Sequence, residues 1–166
     1  RIAAMMKTSD FAENKFFVCV TKQGKIKRTP LSDFKNVRKN GLRAITLAEG
    51  DEIAAAHLTE GDSDVLIATR NGAAIRFGEQ QIRSMGRTAQ GVRAIKLREG
   101  DYIVGACKIY DPEMTILTVT DKGMGRRTLQ ESYRTQNRGG FGLLNYKAGE
   151  EKGYVCGIRS LGADDD

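Results

Sequence analysis

Residues 116–144, ILTVTDKGMGRRTLQESYRTQNRGGFGLL, decide the fold. Ile116, Thr118 and Thr120 alternate with Leu117 and Val119, all β-favouring types, and so predict a strand. Asp121-Lys122-Gly123 supplies a hairpin turn, because glycine reaches positive φ without a Cβ clash. The return arm carries Arg126-Arg127-Thr128, and beyond Tyr133 lies a basic, glycine-rich loop, Gln136-Asn137-Arg138-Gly139-Gly140-Phe141-Gly142. Looser copies stand upstream: VCVTKQGKIKRT at 18–29 and VLIATRNGAAIRF at 65–77. Their turn glycines, Gly24, Gly72 and Gly123, are 48 and then 51 residues apart. Arg28, Arg76 and Arg127 each follow the turn glycine by four, and Phe34, Ile82 and Tyr133 by ten.

The rest of each unit repeats as well. A second glycine, Gly41, Gly91 or Gly142, precedes a second apolar segment: LRAITL, VRAIKL or LLNYKA. An acidic turn follows, and then a small-residue strand: EIAAAHL, YIVGACKI or YVCGI. A period near fifty, built from about four short strands, predicts propeller-like blades, since one such unit cannot bury its own face. The expectation is an all-β chain of three consecutive four-stranded blades, at about 15–64, 65–114 and 115–166. Residues 1–6 match the last strand of a unit, so 1–14 are expected to end a preceding blade. The acidic loop 162–166 stands where another strand would follow. The chain is therefore expected to be a fragment of one larger ring.

Composition narrows the class. Nineteen glycines against two prolines in 166 residues fit a turn-dense β protein. There is no run of eighteen apolar residues and no signal peptide, so nothing argues for membrane or secretion. Cys19, Cys107 and Cys156 are isolated and fall in predicted strands, which reads as buried reduced thiols in a cytoplasmic protein.

Charge is segregated within every repeat. The spans 22–43, 70–98 and 122–147 hold 8, 7 and 6 Lys or Arg and one acid each: Asp33, Glu79 and Glu131. Stacking the repeats about an axis would turn these halves into a basic band suited to a polyanion. Duplex DNA fits best, because its phosphates repeat along both strands. A single-strand reader would show exposed aromatics for base stacking. This chain has no Trp, and Phe34, Phe77, Tyr133 and Tyr146 fall at core-like positions. Phe141 is expected to pack in the core or to cap the neighbouring blade. The cations assigned to DNA are Lys25, Lys27, Arg28, Lys39, Arg43, Arg76, Arg87, Arg93, Arg126, Arg127, Arg134 and Arg138. Arg28, Arg76 and Arg127, sharing one repeat position, are expected to line a single rim.

No catalytic pattern is present in the sequence. The lone His57 sits at a strand end with no nucleophile or carboxylate pattern around it and reads as structural. Glu49-Gly50-Asp51 and Glu99-Gly100-Asp101 read as turns rather than metal ligands. The 139–142 glycines lack the Gly-Lys-Ser/Thr ending of a P-loop. No metal or cofactor is expected in this chain.

These residues resemble a family. The T-x-x-G…R-T hairpin and the glycine before [VL]-R-A-I-x-L are similar to the C-terminal domain of the bacterial DNA gyrase A subunit, over essentially the whole chain. RSMGRTAQGVRAIKLREGD at 83–101 looks especially close to that family's interior blades. The resemblance implies a β-pinwheel, a propeller-shaped ring whose blades are completed by strands from their neighbours. QNRGGFG at 136–142 is similar to the gyrase-A box, usually Q-R-R-G-G-[RK]-G, with Asn137 and Phe141 replacing cations. It is read as a secondary copy, with the principal box expected upstream of residue 1. The function implied is sequence-nonspecific wrapping of duplex DNA, so that a parent ATP-dependent type II topoisomerase introduces negative supercoils. The implied partners are the B subunit of gyrase, the rest of the A subunit, which together form a heterotetramer, and duplex DNA. The implied setting is the bacterial cytoplasm, on the nucleoid, with ATP and Mg on other domains. The topoisomerase IV counterpart is the near alternative. A propeller scaffold binding an acidic protein is a more distant one, disfavoured because Arg rows stand where apolar anchors would be expected.

Overall fold

The computed structural model describes residues 2–162 and 165. The first repeat contributes β1 (Phe16–Thr21), β2 (Lys25–Pro30) and β3 (Ile53–Thr59). The second contributes β4 (Asp64–Thr69), β5 (Ala73–Gly78), the short β6 (Val92–Arg93) and β7 (Ile103–Ile109). The third contributes β8 (Thr115–Thr120), β9 (Gly125–Leu129), the short β10 (Leu143–Leu144) and β11 (Val155–Leu161). All pairings among them are antiparallel. No α-helix occurs among the described residues, so none is long and apolar enough to cross a membrane.

The three sheets are not built from one repeat each. Their orders are β3-β1-β2-β6, β10-β5-β4-β7 and β11-β8-β9. The second repeat thus hands β6 to the first sheet, and the third hands β10 to the second. This exchange explains the second glycine of the second and third units. Gly91 has φ +87°, and a Cβ there would lie 2.5 Å from the Ile26 carbonyl oxygen; Gly142 has φ +76° and would meet the Ala74 carbonyl oxygen at 2.4 Å. The chain must cross the neighbour's backbone at van der Waals range just before it pairs, and only glycine permits that.

Several expected strands are shortened or missing. The six-residue segments before the acidic turns become two-residue strands at β6 and β10, and 42–47 forms none. Pairing decides this: β6 and β10 have an acceptor edge in the preceding repeat, and 42–43 pairs with none among the described residues. The third sheet has three strands rather than four, with β9 as its open edge. Residues 2–6 form no strand, against expectation, and Ile2 and Met5 are exposed. The expected acidic tail lies largely outside the described residues.

Apolar packing runs across the exchanged edges. Val18, Val20 and Ile26 of the first repeat pack with Val65, Ile67, Ile75, Phe77, Ile82, Ala94 and Ile95 of the second. Leu66, Ala74, Cys107 and Ile109 meet Ile116 and Tyr133 of the third. Fully burying one such Ile or Phe contributes roughly 1.5–3 kcal/mol, so the repeats stabilise each other through shared cores. At the hub, β7 packs between β3 and β11. The acidic turns brace the hairpins. Asp51 accepts from the Gln23 and Glu52 N–H groups at 3.0 and 2.8 Å, and Asp101 from Asn71 and Tyr102 at 3.0 and 2.9 Å.

Cys19 and Cys107 are buried, but Cys156 is exposed, against expectation. Burial pushes the Cys19 thiol up to about 11 and that of Cys107 to about 12, so both stay protonated and inert at neutral pH. His57 is half-buried in β3, with Nε2 2.7 Å from the Ala106 carbonyl oxygen. It ties the first hub strand to the second.

Candidate nucleic-acid interface

The hairpin arm carries cations whose fates differ with strand pairing. Arg28 is not on an open rim: its guanidinium lies 3.7 Å above the Phe16 ring and 3.3 Å from the Glu79 carboxylate, and reaches the Ile82 carbonyl at 3.4 Å. Glu79 is fully buried and also accepts from Thr59 Oγ1 at 2.7 Å and from the Ser63 N–H at 2.9 Å. Arg76 repeats the pattern with other partners. Its Nε donates to Asp64 at 2.7 Å, and its Nη1 to the Gln130 side chain and to the Gln130 and Tyr133 carbonyls. Both arginines therefore fasten one repeat to the next, and neither lies on the single open rim expected of them.

Lys27 does not face an open rim either. It is fully buried, and its ammonium donates to the Ala44 and Arg87 carbonyls. Burial pulls its pKa below the usual lysine value. The same repeat position holds buried Ile75 and exposed Arg126, so spacing alone could not separate core from rim. Arg87 is half-buried beside Lys27.

Arg127 is exposed, because its strand is the open edge of the third sheet. Its Nε donates to Thr115 Oγ1 at 2.7 Å, and neighbouring Arg126 reaches the Asn145 carbonyl at 3.4 Å. Phe16, Asp64 and Thr115 each precede their arginine by twelve residues, so one cross-strand site is filled by a ring, a carboxylate and a hydroxyl in turn. Lys39, Arg43 and Arg134 lie on loops, where Lys39 and Arg134 are exposed and Arg43 stands in the unpaired segment 42–47.

A different set of cations is brought together across all three repeats. Lys25 stands opposite Arg93 in the β2–β6 ladder, and both are exposed. Arg138 of the third repeat donates from Nη1 to the Arg93 carbonyl, and its own N–H is held by Gln81 Oε1 at 2.8 Å. Gln81 also donates to the Gln136 carbonyl at 3.1 Å. The box-like loop is thus laid along the second repeat: the Gly139 N–H donates to the Ala94 carbonyl at 2.8 Å, and the Lys96 N–H to the Gly140 carbonyl at 2.8 Å. Lys96 and Arg98 then stand 4.9 and 5.0 Å from the centroid of the Phe141 ring. Phe141 is 44 % exposed, so it sits over the neighbouring repeat but is not core. Asn137 is exposed.

Lys96 and Arg98 are not among the cations that the sequence assigns to DNA, although they fall inside the basic span 70–98. The detectable signal was the order in VRAIKLR, where buried Ala94 and Ile95 force Arg93, Lys96 and Arg98 outward. Other cations of these spans serve the hub side: Lys22 pairs with Glu52 at 2.8 Å, and Arg70 stacks 3.7 Å above the Tyr154 ring. No group of three or more metal-ligating side chains occurs among the described residues.

An all-β, strand-exchanging propeller arc with a cationic strip crossing its seams defines the class: a β-pinwheel module. The sequence model described as DNA gyrase C-terminal domain, beta-propeller, matches residues 15–60, 63–106 and 115–155, one segment per repeat. The chain belongs to this family. Its relatives include the DNA gyrase A subunit of Haloquadratum walsbyi, 39 % identical over 100 % of the chain and 20 % of the relative. That of Helicobacter pylori is 40 % identical over 97 % and 20 %, and that of Staphylococcus epidermidis 41 % identical over 99 % and 19 %. The chain therefore spans about one fifth of the length of these relatives. A crystal structure of the C-terminal domain of DNA topoisomerase IV superposes with a TM-score of 0.86 at 28 % identity, covering 93 % of this chain and 48 % of that one. A DNA gyrase A C-terminal domain gives 0.56 at 18 %, covering 93 % and 68 %, and bears on the fold alone.

Proposed function

We propose that this chain binds and wraps duplex DNA as part of a gyrase A subunit. The three repeats are read as consecutive blades of one domain. The observation that carries the reading is the strip Lys25, Arg93, Lys96, Arg98 and Arg138, drawn from three repeats and held by backbone hydrogen bonds rather than by acids. DNA is stiff, and bending a short site costs on the order of 1–6 kcal/mol. A fixed curved row of cations offsets that cost through phosphate pairing and counterion release. Nothing in the strip is set to read base edges, so binding is sequence-nonspecific. The remainder of the A subunit, with a B subunit, would supply cleavage, ATP and Mg. Wrapping in the cytoplasm would present a DNA segment to that machinery with one handedness, the requirement for introducing negative supercoils.

Identity near 40 % to gyrase A subunits over the whole chain favours gyrase over topoisomerase IV. Binding of a duplex at graded salt tests the reading. Five phosphate contacts predict a slope of log affinity against log salt of about −4 to −5. Ligating a nicked circle with the chain bound should shift its linking number. Affinity indifferent to salt, or an unchanged linking number, overturns the proposal.

A further inference from the structure

Within the box-like loop, the glycines serve different ends. Gly139 needs its φ of +89°, and Gly142 needs its missing Cβ against Ala74. Gly140 needs neither. Its φ lies outside the left-handed region, and an added Cβ would meet only the Asn137 carbonyl oxygen, at 4.0 Å. It is exposed: its carbonyl accepts from the Lys96 N–H, but nothing packs over its Cα.

Beside it stands Phe141, a partly exposed ring flanked by cations. Lys96 and Arg98 lie within 5.0 Å of its centroid, and Arg138 stands three residues before it. Two cation–π contacts hold the ring in place while it remains 44 % exposed. A ring already ordered loses little freedom when its free part is covered. Apolar side chains flanked by Arg and Lys can enter a base step, unstack it and concentrate a bend there.

We propose that Gly140 and Phe141 form a wedge for duplex DNA, resting on the wrapping reading above. Phe141 enters one base step and replaces part of the lost stack. The sugar–phosphate backbone passes over the uncovered Gly140, and Lys96, Arg98 and Arg138 hold the phosphates beside the opened step. The wrapped path then has a kink fixed at the third repeat's loop, in addition to smooth curvature along the strip.

Permanganate, which oxidises unstacked thymines, tests this on a short duplex carrying TA steps, the most easily opened. The wild-type chain should raise thymine reactivity above that of free duplex. Phe141→Ala and Phe141→Lys should abolish the increase, while Phe141→Trp keeps it. Phe141→Lys should nonetheless bind DNA with a salt slope steeper by about 1, since it adds a phosphate contact. Gly140→Ala should leave the melting temperature unchanged and lower the reactivity. Salt-dependent binding without increased reactivity in the wild type, or full reactivity in Phe141→Lys, overturns the wedge alone. Absence of salt-dependent binding overturns the wrapping reading and the wedge with it.

Discussion

The seam between the first and second repeats and the seam between the second and third share one backbone and differ in their charges. In both, the repeated arginine's carbonyl accepts a neighbour's N–H: Met85 to Arg28 at 2.9 Å and Gln136 to Arg76 at 2.7 Å. In both, a short strand is handed back across a glycine. The first seam then closes on a buried Arg28–Glu79 ion pair, while the second closes on Arg76 with Asp64 and the neutral Gln130. On the outside the contrast is as large. Lys25 faces Arg93 at the first seam, and Ala73 faces Leu144 at the second. Backbone exchange builds both seams, which leaves their side chains free to serve stability inside and to set the surface charge outside.

The largest effect should come from breaking the first seam's ion pair. Arg28→Ala strands a fully buried carboxylate and should destabilise the chain by about 3–5 kcal/mol in urea unfolding. Pairing Arg28→Met with Glu79→Gln should recover most of this, since the third repeat already buries Gln130 at the matching position and the amide oxygen can still accept from Thr59 or Ser63. A double variant as unstable as the single one would show that the charge pair itself sets the seam. Arg76→Ala should cost less, about 1–3 kcal/mol, because Asp64 is partly solvated and Gln130 is neutral. Arg127→Ala, on the open edge, should stay within about 0.5 kcal/mol.

Outside the seams, the readout is DNA rather than stability. Lys25→Ala with Arg93→Ala should weaken duplex binding and make the salt slope shallower by about 2, with an unchanged melting temperature. Writing the first seam's charges onto the second, with Ala73→Lys and Leu144→Arg, should strengthen binding. If it does not, the DNA does not run along both seams.

The smallest effect concerns the hub contact of His57, which both seams leave untouched. Burial lowers its pKa in the folded chain below 6.5. Its contribution is therefore present above pH 6.5 and lost as the pH falls through the folded value. Urea midpoints at neutral and mildly acid pH should show this decline, and His57→Gln should lessen it. An identical decline in the variant would assign the acid sensitivity to carboxylates instead.

Much of the fold is legible in the sequence. Alternation at 116–120, the turn glycines and the period near fifty mark the hairpins and third strands where they are found, because these depend on local β pattern and on positive φ. The second segments are misjudged at 42–47, where sequence closely matches that of 92–97 but strand formation requires an acceptor edge elsewhere. Among the cations chosen from sequence, Lys25 and Arg93 stand exposed together, with half-buried Arg138 laid against Arg93. Lys27, Arg28 and Arg76 do not, since basic residues at a repeat offset look alike whether they fasten repeats or face solvent.

The sequence by itself determined the repeat, the β class, the glycine positions and the segregation of cations from acids. All of these are read from local pattern or counted along the chain. Only the tertiary structure decided which cations are free. The exchange of β6 and β10 between repeats buries Lys27, encloses Arg28 and Arg76, and leaves Arg127 open. It also lays the 136–142 loop of one repeat along Arg93, Lys96 and Arg98 of another. Those outcomes depend on contacts between residues about fifty positions apart, which no local pattern encodes.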